Sequence, residues 1–300
     1  MILTEGLTKH YGAVRALSNA TLEVRKGEVF GLLGPNGSGK TTTIRLLLGL
    51  LRPTSGRATV GGHDCWKDSV QVRDLVSYLP GELRLFGPMS GLGTLRYLSD
   101  LRGGHGLERA VAIAENVLKL DLSRKVRTYS TGMKQKLALA QTFADPVEIL
   151  ILDEPTSSLD PSARQDVLRL VADAQANGQT IVFSGHVLSE VEQVADRVAI
   201  MRQGKLVHVE DMHARRTLRL ILLRFQEGMS GGFPEELGLK VRERNGDTWL
   251  LEHLGELPAL MAWLGTQDFA EIAIGTDDLR SLYDRFHGVS AEAELDEVPA

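Results

Sequence analysis

The chain has 300 residues, 43% hydrophobic and 24% charged, with a net charge of −5. That is enough chain for one large domain and a small one, and the acidic balance speaks against an electrostatic nucleic-acid binder. A lone cysteine, Cys65, excludes an internal disulfide and fits a reducing compartment, and no run approaches the roughly 20 apolar residues a membrane helix needs.

The N-terminus, Met1-Ile2-Leu3-Thr4-Glu5, shows no signal-peptide pattern and leads directly into short apolar runs. Residues 3–7, 16–24 and 28–33 read as strands, separated by Tyr11-Gly12 and Lys26-Gly27. The run 29–33 is followed at once by Gly34-Pro35-Asn36-Gly37-Ser38-Gly39-Lys40-Thr41, which fits G-x-x-x-x-G-K-[ST] without substitution. Ile44, Leu47, Leu48 and Leu51 then recur at helical spacing, and Arg52-Pro53 is expected to end the helix. Strand, glycine-rich loop and helix form a phosphate cradle. Glycines let successive backbone N–H groups turn inward, and the helix adds its free N–H groups and positive dipole end. Lys40 supplies a charge near the β- and γ-phosphates, and the Thr41 hydroxyl is placed to ligate Mg²⁺.

Residues 58–60 read as a strand, with Gly61-Gly62 as its turn, and 76–79 as another that stops at Pro80. Between 92 and 122 the pattern becomes helical, with Leu95, Leu98 and Leu101 on one face, then Ala110, Ile113, Val117 and Leu120 on a second, divided by Gly103-Gly104. Ser130 and Gly132 open a further helix through Leu137, Ala140 and Phe143, a second anion-binding helix N-terminus in pattern, though an ordinary capped helix has the same look. Residues 149–152 form a fully apolar strand ending in Asp153-Glu154-Pro155. Asp153 stands where a carboxylate holds Mg²⁺ beside a nucleotide. Glu154, one residue on, points elsewhere and is free to polarise a water attacking the γ-phosphate. Asp160 caps a helix over 161–176 with Pro161 as its first residue; strands at 180–184 and 198–202 flank a helix at 189–195.

Beyond Glu210 the order is strand 217–225, strand 248–252, helix 257–264, strand 271–274 and helix 276–287, a small α+β domain. The stretch 292–297 is acidic and reads as a frayed tail. The domain plan is therefore 1–209 for a nucleotide-binding domain with a helical subdomain at about 85–145, 210–288 for an accessory domain, and 289–300 for the tail.

Taken together, these stretches resemble the ATP-binding-cassette (ABC) ATPases. Residues 34–41 match the family's Walker A motif and 149–154 its Walker B with the catalytic glutamate. Ser130-Thr131-Gly132-Met133-Lys134-Gln135 is similar to the signature L-S-G-G-Q, with Thr131 in place of the first of its two glycines; Ser158-Leu159-Asp160 matches the D-loop, His186 the switch histidine and Tyr11 the aromatic that stacks on adenine. The resemblance covers residues 1 to about 210. It implies a P-loop NTPase fold of α/β type with a helical subdomain, ATP and Mg²⁺ as ligands, and ATP contacts through Tyr11, Gly34 to Thr41 and Thr42.

It also implies catalysis by Glu154 and His186, and metal contacts through Thr41 and Asp153. Ser130, Thr131, Gly132 and Met133 would contact the ATP of a second copy in a head-to-tail dimer whose interface Asp160 lines. One departure stands out. The family usually carries glutamine after a strand such as 76–79, reaching Mg²⁺ and the water. Here Tyr78-Leu79-Pro80-Gly81-Glu82 has glycine at that position and Glu82 next, a version similar to ABC ATPases of drug-export type; either Glu82 substitutes or the contact is dispensable. The function implied is the motor subunit of a membrane transporter, an exporter of drugs, antibiotics or lipid-like compounds. It would lie on the cytoplasmic face of the membrane with a separate permease, and no nucleic-acid partner is expected. The alternatives are a soluble ABC ATPase acting on ribosomes or DNA, or a ligand-regulated ATPase; one nucleotide-binding domain, no sustained heptads and no basic surface argue against the former.

Overall fold

Five apolar stretches form a parallel sheet at the centre of the N-terminal unit: β3 (Val29–Leu33), β6 (Val76–Leu79), β7 (Ile149–Asp153), β8 (Thr180–Gly185) and β9 (Arg197–Arg202). With β10 (Lys205–Asp211) at one edge, the order is β10-β9-β3-β8-β7-β6. Every residue of β3, β7 and β8 is buried, as expected for strands covered on both faces. The computed structural model describes residues 1–225, 237–254, 257–267, 269–276 and 283. It divides into two compact units, Met1–Glu210 and Asp211–Ala300.

A second, antiparallel sheet, β2-β1-β4-β5, is built from β1 (Ile2–Tyr11), β2 (Val14–Val24), β4 (Ser55–Val60) and β5 (His63–Asp64). Helix α1 (Lys40–Leu47) lies in the core between the two sheets: its Ile44, Leu46 and Leu47 share one buried cluster with Leu7, Leu17 and Val60 on one side and Phe30, Ile151 and Val182 on the other. The phosphate loop is thus clamped between two sheets. The sequence pattern extends α1 to Arg52, but the helix stops at Leu47. Gly49 adopts φ +64, its N–H bonds to Leu46 and the N–H of Leu50 to Arg45, a left-handed glycine ending. A Cβ on Gly49 would stand 2.1 Å from the Cys65 carbonyl oxygen, so the chain must turn there, ahead of Pro53.

Helix α2 (Ser69–Asp74) leads into β6. The helical segment follows: α3 (Gly91–Leu101), α4 (Leu107–Ala112), continued by a π turn at Ile113–Val117, and α5 (Thr131–Ala144). The predicted regular helix through Leu120 instead widens to i→i+5 bonding, the Leu118 N–H reaching Ile113. Asp145, at the end of α5, ties this segment to the sheet edge: it accepts from Ser77 Oγ at 2.8 Å and Gln141 Nε2 at 3.1 Å and pairs with Arg102 at 3.1 Å. Helices α6 (Pro161–Ala176) and α7 (Leu188–Val194) complete the unit; Val191 of α7 sits so close to Gly31 that a Cβ there would be 2.7 Å from it.

In the second unit α8 (Met212–Thr217) precedes a four-stranded antiparallel sheet. Its order is β12-β13-β11-β14, from β11 (Leu218–Phe225), β12 (Leu239–Asn245), β13 (Thr248–Leu254) and β14 (Phe269–Thr276). Ile221, Leu223 and Phe225 alternate onto one face of β11 and pack with Leu260 and Leu264 of α9 (Leu257–Leu264). Strands β10 and β12 escaped the sequence pattern. The predicted helix 276–287 and the acidic stretch 292–297 lie outside the described residues, Tyr283 and Thr276 excepted. Among the described residues no helix is long and apolar enough to cross a membrane.

Candidate functional site

The C-terminal ends of β3, β7 and β8 converge, and each carries polar groups of the candidate site. From β3 the chain enters residues 34–41. A Cβ on Gly34 would lie 2.4 Å from the Met201 carbonyl oxygen, and Gly39 at φ +107 faces the Ala16 carbonyl at 2.8 Å, so side chains at these two positions would collide with backbone. The loop therefore holds a fixed curl. Gly39 caps α1 without a side-chain hydrogen bond, and no acid occupies the first turn, which leaves the helix N-terminal N–H groups and dipole facing the loop. Asn36, Gly37, Ser38, Gly39, Lys40, Thr41 and Thr42 line a cavity of about 280 Å³, joined by Val14, Arg15, Ala16 and Glu154. The Ser38 hydroxyl is buried and has no hydrogen-bond partner among the described residues.

Lys40 is 5% exposed. Its Nζ donates to the carbonyls of Gly34 at 2.7 Å and Pro35 at 3.2 Å and lies 3.7 Å from Glu154 Oε1. Burial pushes its ammonium below the ordinary lysine range, while the Glu154 and Asp153 carboxylates pull the other way. The side chain is thus a desolvated cation aimed across a ring of backbone dipoles, a strong partner for phosphate oxygens.

Asp153 ends β7, 2% exposed, and its Oδ1 accepts from Ser184 Oγ at 2.6 Å. The same Ser184 Oγ accepts the Glu154 N–H at 3.0 Å. This bridge holds Glu154 at φ +51, a left-handed backbone rare for a non-glycine residue. The turn separates the two carboxylates: Asp153 stays buried, and Glu154 reaches the cavity between Lys40 and His186, whose Nδ1 is 3.5 Å from Glu154 Oε2. Ser184 was not singled out from the sequence. It ends the predicted strand 180–184, but its role follows from its register opposite Asp153, which a single sequence does not reveal.

The donor set suits Mg²⁺. One carboxylate and one hydroxyl, Asp153 and Thr41, would be the sparse protein ligation that Mg²⁺ takes beside phosphates. Glu82 and Gly81, the two residues at the position where the family usually carries glutamine, face different surroundings. The Glu82 side chain is 85% exposed and pairs with Arg84 at 4.0 Å, whereas Gly81 faces Asp153, a Cβ there lying 3.5 Å from the carboxylate.

Tyr11 ends β1, 47% exposed, with the Lys9 ammonium 5.2 Å from its ring centre. Ser130 caps α5 by accepting from the Met133 N–H at 3.2 Å. Ser130, Thr131, Gly132 and Met133 do not line the phosphate-loop cavity of their own chain. Gly132 abuts the Ser158 carbonyl, which a Cβ would approach to 2.6 Å, and Gln135 Nε2 donates to Pro155 at 3.0 Å, fastening this helix to the segment after Glu154. Asp160 caps α6 by accepting the Ala163 N–H at 2.9 Å, and that bond holds its carboxyl below the usual range.

The profile of the ABC transporter family matches residues 17–157. The chain is 38% identical over 212 residues to a daunorubicin resistance ATP-binding protein of Streptomyces coeruleorubidus, covering 69% of this chain and 66% of that one. It is 35% identical over 209 residues to a bacitracin transport ATP-binding protein of Bacillus licheniformis (69% and 68%) and 32% over 213 to a linearmycin resistance ATP-binding protein of Bacillus subtilis (70% and 68%). Among solved structures, an ATP-binding subunit of an ABC transporter aligns with TM-score 0.66 at 28% identity, over 72% of this chain and 92% of that one. A dimeric cassette in a post-hydrolysis state with ADP and Pi has the same fold, with TM-score 0.64 at 21% identity over 71% and 99%.

Proposed function

The chain belongs to the family of ABC transporter ATP-binding proteins, and on that premise we propose that it is the ATPase motor of an exporter carrying drugs, antibiotics or lipid-like compounds. The single observation behind the chemical reading is the convergence of Lys40, Asp153, Glu154 and His186 at the strand ends. Lys40, the loop N–H groups and the start of α1 hold the β- and γ-phosphates. Glu154 orients and polarises the attacking water, and His186, beside it, steadies the γ-phosphate. Thr41 and Asp153 would hold Mg²⁺, which supplies charge neutralisation at the phosphates when bound.

Ser130, Thr131, Gly132 and Met133 lie on an exposed helix start away from their own cavity, and in our reading they close over the nucleotide of a second copy, head to tail, with Asp160 at that interface. Tyr11 stacks on the adenine. Loss of the γ-phosphate removes the shared anchor and lets the pair reopen. A membrane subunit converts this cycle into transport. The groove lined by Pro80, Leu83, Leu85, Leu98 and Leu101 takes a cytoplasmic helix of that subunit, which places the protein on the cytoplasmic face of the membrane. Export, rather than import, is supported by the resistance relatives and the Y-L-P-G-E stretch.

The test is purification of tagged Glu154→Gln protein from its own cells in mild detergent with ATP. The expected result is an ATP-dependent dimer that barely hydrolyses and retains a multi-helix membrane protein in stoichiometric amount. Hydrolysis at the parental rate refutes the role of Glu154, and recovery of ribosomes, DNA or no partner refutes the transporter assembly.

A further inference from the structure

One buried carboxylate behind the site takes no part in the chemistry described so far. Glu190 lies in the first turn of α7, 7% exposed, and four residues after His186. Its Oε2 accepts the Thr156 hydroxyl at 2.5 Å, and its Oε1 is 3.5 Å from the Arg164 guanidinium. Each partner belongs to a different part of the site. Thr156 is two residues after Glu154. Arg164, in α6, also donates from Nε to the Leu159 carbonyl at 3.0 Å, within the turn whose Ser158 carbonyl borders Gly132. Ser158 itself is held at φ +61.

A buried charge is costly unless partners surround it, and removing one partner exposes that cost. Three segments are therefore joined at one carboxylate: the strand end carrying Glu154, the turn 158–160, and the helix behind His186. None of these bonds is needed to form the phosphate loop, which is built from β3 and α1 on the far side of β8. The cluster bears on where Glu154 and His186 stand, not on the shape of the phosphate loop.

We propose that Glu190 is a positioning residue for hydrolysis: through Thr156 and Arg164 it couples the turn 158–160 to the 3.5 Å spacing of Glu154 and His186. The inference rests on the reading of those two residues as the hydrolytic pair. Displacements of about an ångström at such a pair cost on the order of a hundredfold in rate, so a tether need not touch substrate to matter.

The full chain is assayed for hydrolysis rate, ADP affinity and melting temperature as Glu190→Gln, Thr156→Val and the double variant. The expected result is a kcat lower by about tenfold in each single variant, with ADP affinity within about twofold, and a double variant no worse than either single one, because both changes break the same tether. An unchanged kcat overturns the proposal, as does a kcat loss matched by equal losses in ADP affinity and melting temperature, since a merely structural role moves all three. Where Glu190→Gln lowers the melting temperature, Thr156→Val, which leaves the Glu190–Arg164 pair in place, decides by the same criteria. Glu154→Gln and His186→Ala run alongside. If both hydrolyse at the parental rate, the reading of the site fails and the proposal with it. If both lose activity while Glu190→Gln keeps it, the positioning role alone is refuted.

Discussion

Replacing Ser184 by alanine tests how the two adjacent acids are held apart. Its hydroxyl makes two bonds at once, donating to Asp153 Oδ1 at 2.6 Å and accepting the Glu154 N–H at 3.0 Å, at a position with no solvent exposure. Losing a hydrogen bond to a charged acceptor costs about 1.5–3 kcal/mol, and leaving a buried N–H unpaired costs about 1–3 kcal/mol. Partial relaxation around the small gap reduces the sum, so about 3 kcal/mol is the expected destabilisation. For a unit of some 210 residues this lowers the melting temperature by about 6–12 °C. The same bond holds Glu154 in its left-handed turn, so kcat falls as well, whereas nucleotide affinity, set by residues 34–41, stays within about twofold. Thermal denaturation, steady-state hydrolysis and ADP titration read the three quantities separately. A Ser184→Ala protein that melts within about 2 °C of the parent and hydrolyses normally would refute the argument that this hydroxyl orders the acids.

Three further outcomes follow from local geometry. Glu82→Ala should leave Mg²⁺ dependence and rate unchanged, because its carboxylate is in solvent beside Arg84; by contrast Gly81→Gln, whose Cβ meets Asp153 at an ordinary 3.5 Å, should lower the Mg²⁺ concentration needed for half-maximal hydrolysis, and Mg²⁺ titrations of both variants check this. Gly132→Ala should reduce hydrolysis by at least about tenfold while sparing ADP binding, since its Cβ would collide with the Ser158 carbonyl at 2.6 Å; activity with parental kcat would show that the turn yields freely. Cys65 should resist thiol reagents in the native protein at pH 8. It is 3% exposed, and burial pushes its thiol from 9.0 up to about 12, which cuts the thiolate fraction about a thousandfold; rapid labelling without denaturant would refute this placement.

The parts legible in the sequence are those whose physics is local or whose burial is complete. Residues 29–41 carry a strand, a glycine-rich loop and a helix start in one stretch, and the structure adds chiefly the reason why Gly34 and Gly39 bear no side chain. The all-apolar runs at β7 and β8 announce strands buried on both faces. Besides the short helices α2 and α8, what escaped were edges. Strand β10 bounds the six-stranded sheet and β12 the four-stranded sheet of the C-terminal unit; their residues Lys205, Glu210, Lys240, Arg242, Glu243 and Arg244 hide any apolar alternation. Charge on an edge strand discourages pairing with another chain, so the feature that protects the edge also conceals it from a search for apolar runs.

The site divides along the same line. Lys40, Asp153 and Glu154 were legible because each lies within a short motif, whereas Ser184, Gln135, Thr156 and Glu190 were not, because each acts across the sheet or between helices on a residue 20 to 34 positions away. These long-range bonds share a target. Ser184 fixes the backbone of Glu154, Gln135 binds the carbonyl of Pro155, and Glu190 binds Thr156, so three successive residues after Asp153 are each held by a different element. An arrangement that fastens the segment after the acid to α5, β8 and α7 at once makes the position of Glu154 sensitive to movement of any of them. The phosphate loop is packed between two sheets in one core, and the bonds from Ser184, Gln135 and Glu190 end on residues 153–156 rather than on the loop. Nucleotide affinity and hydrolysis rate should therefore respond separately to forces applied through the helical segment, which is the separation a transport motor needs between holding its fuel and spending it.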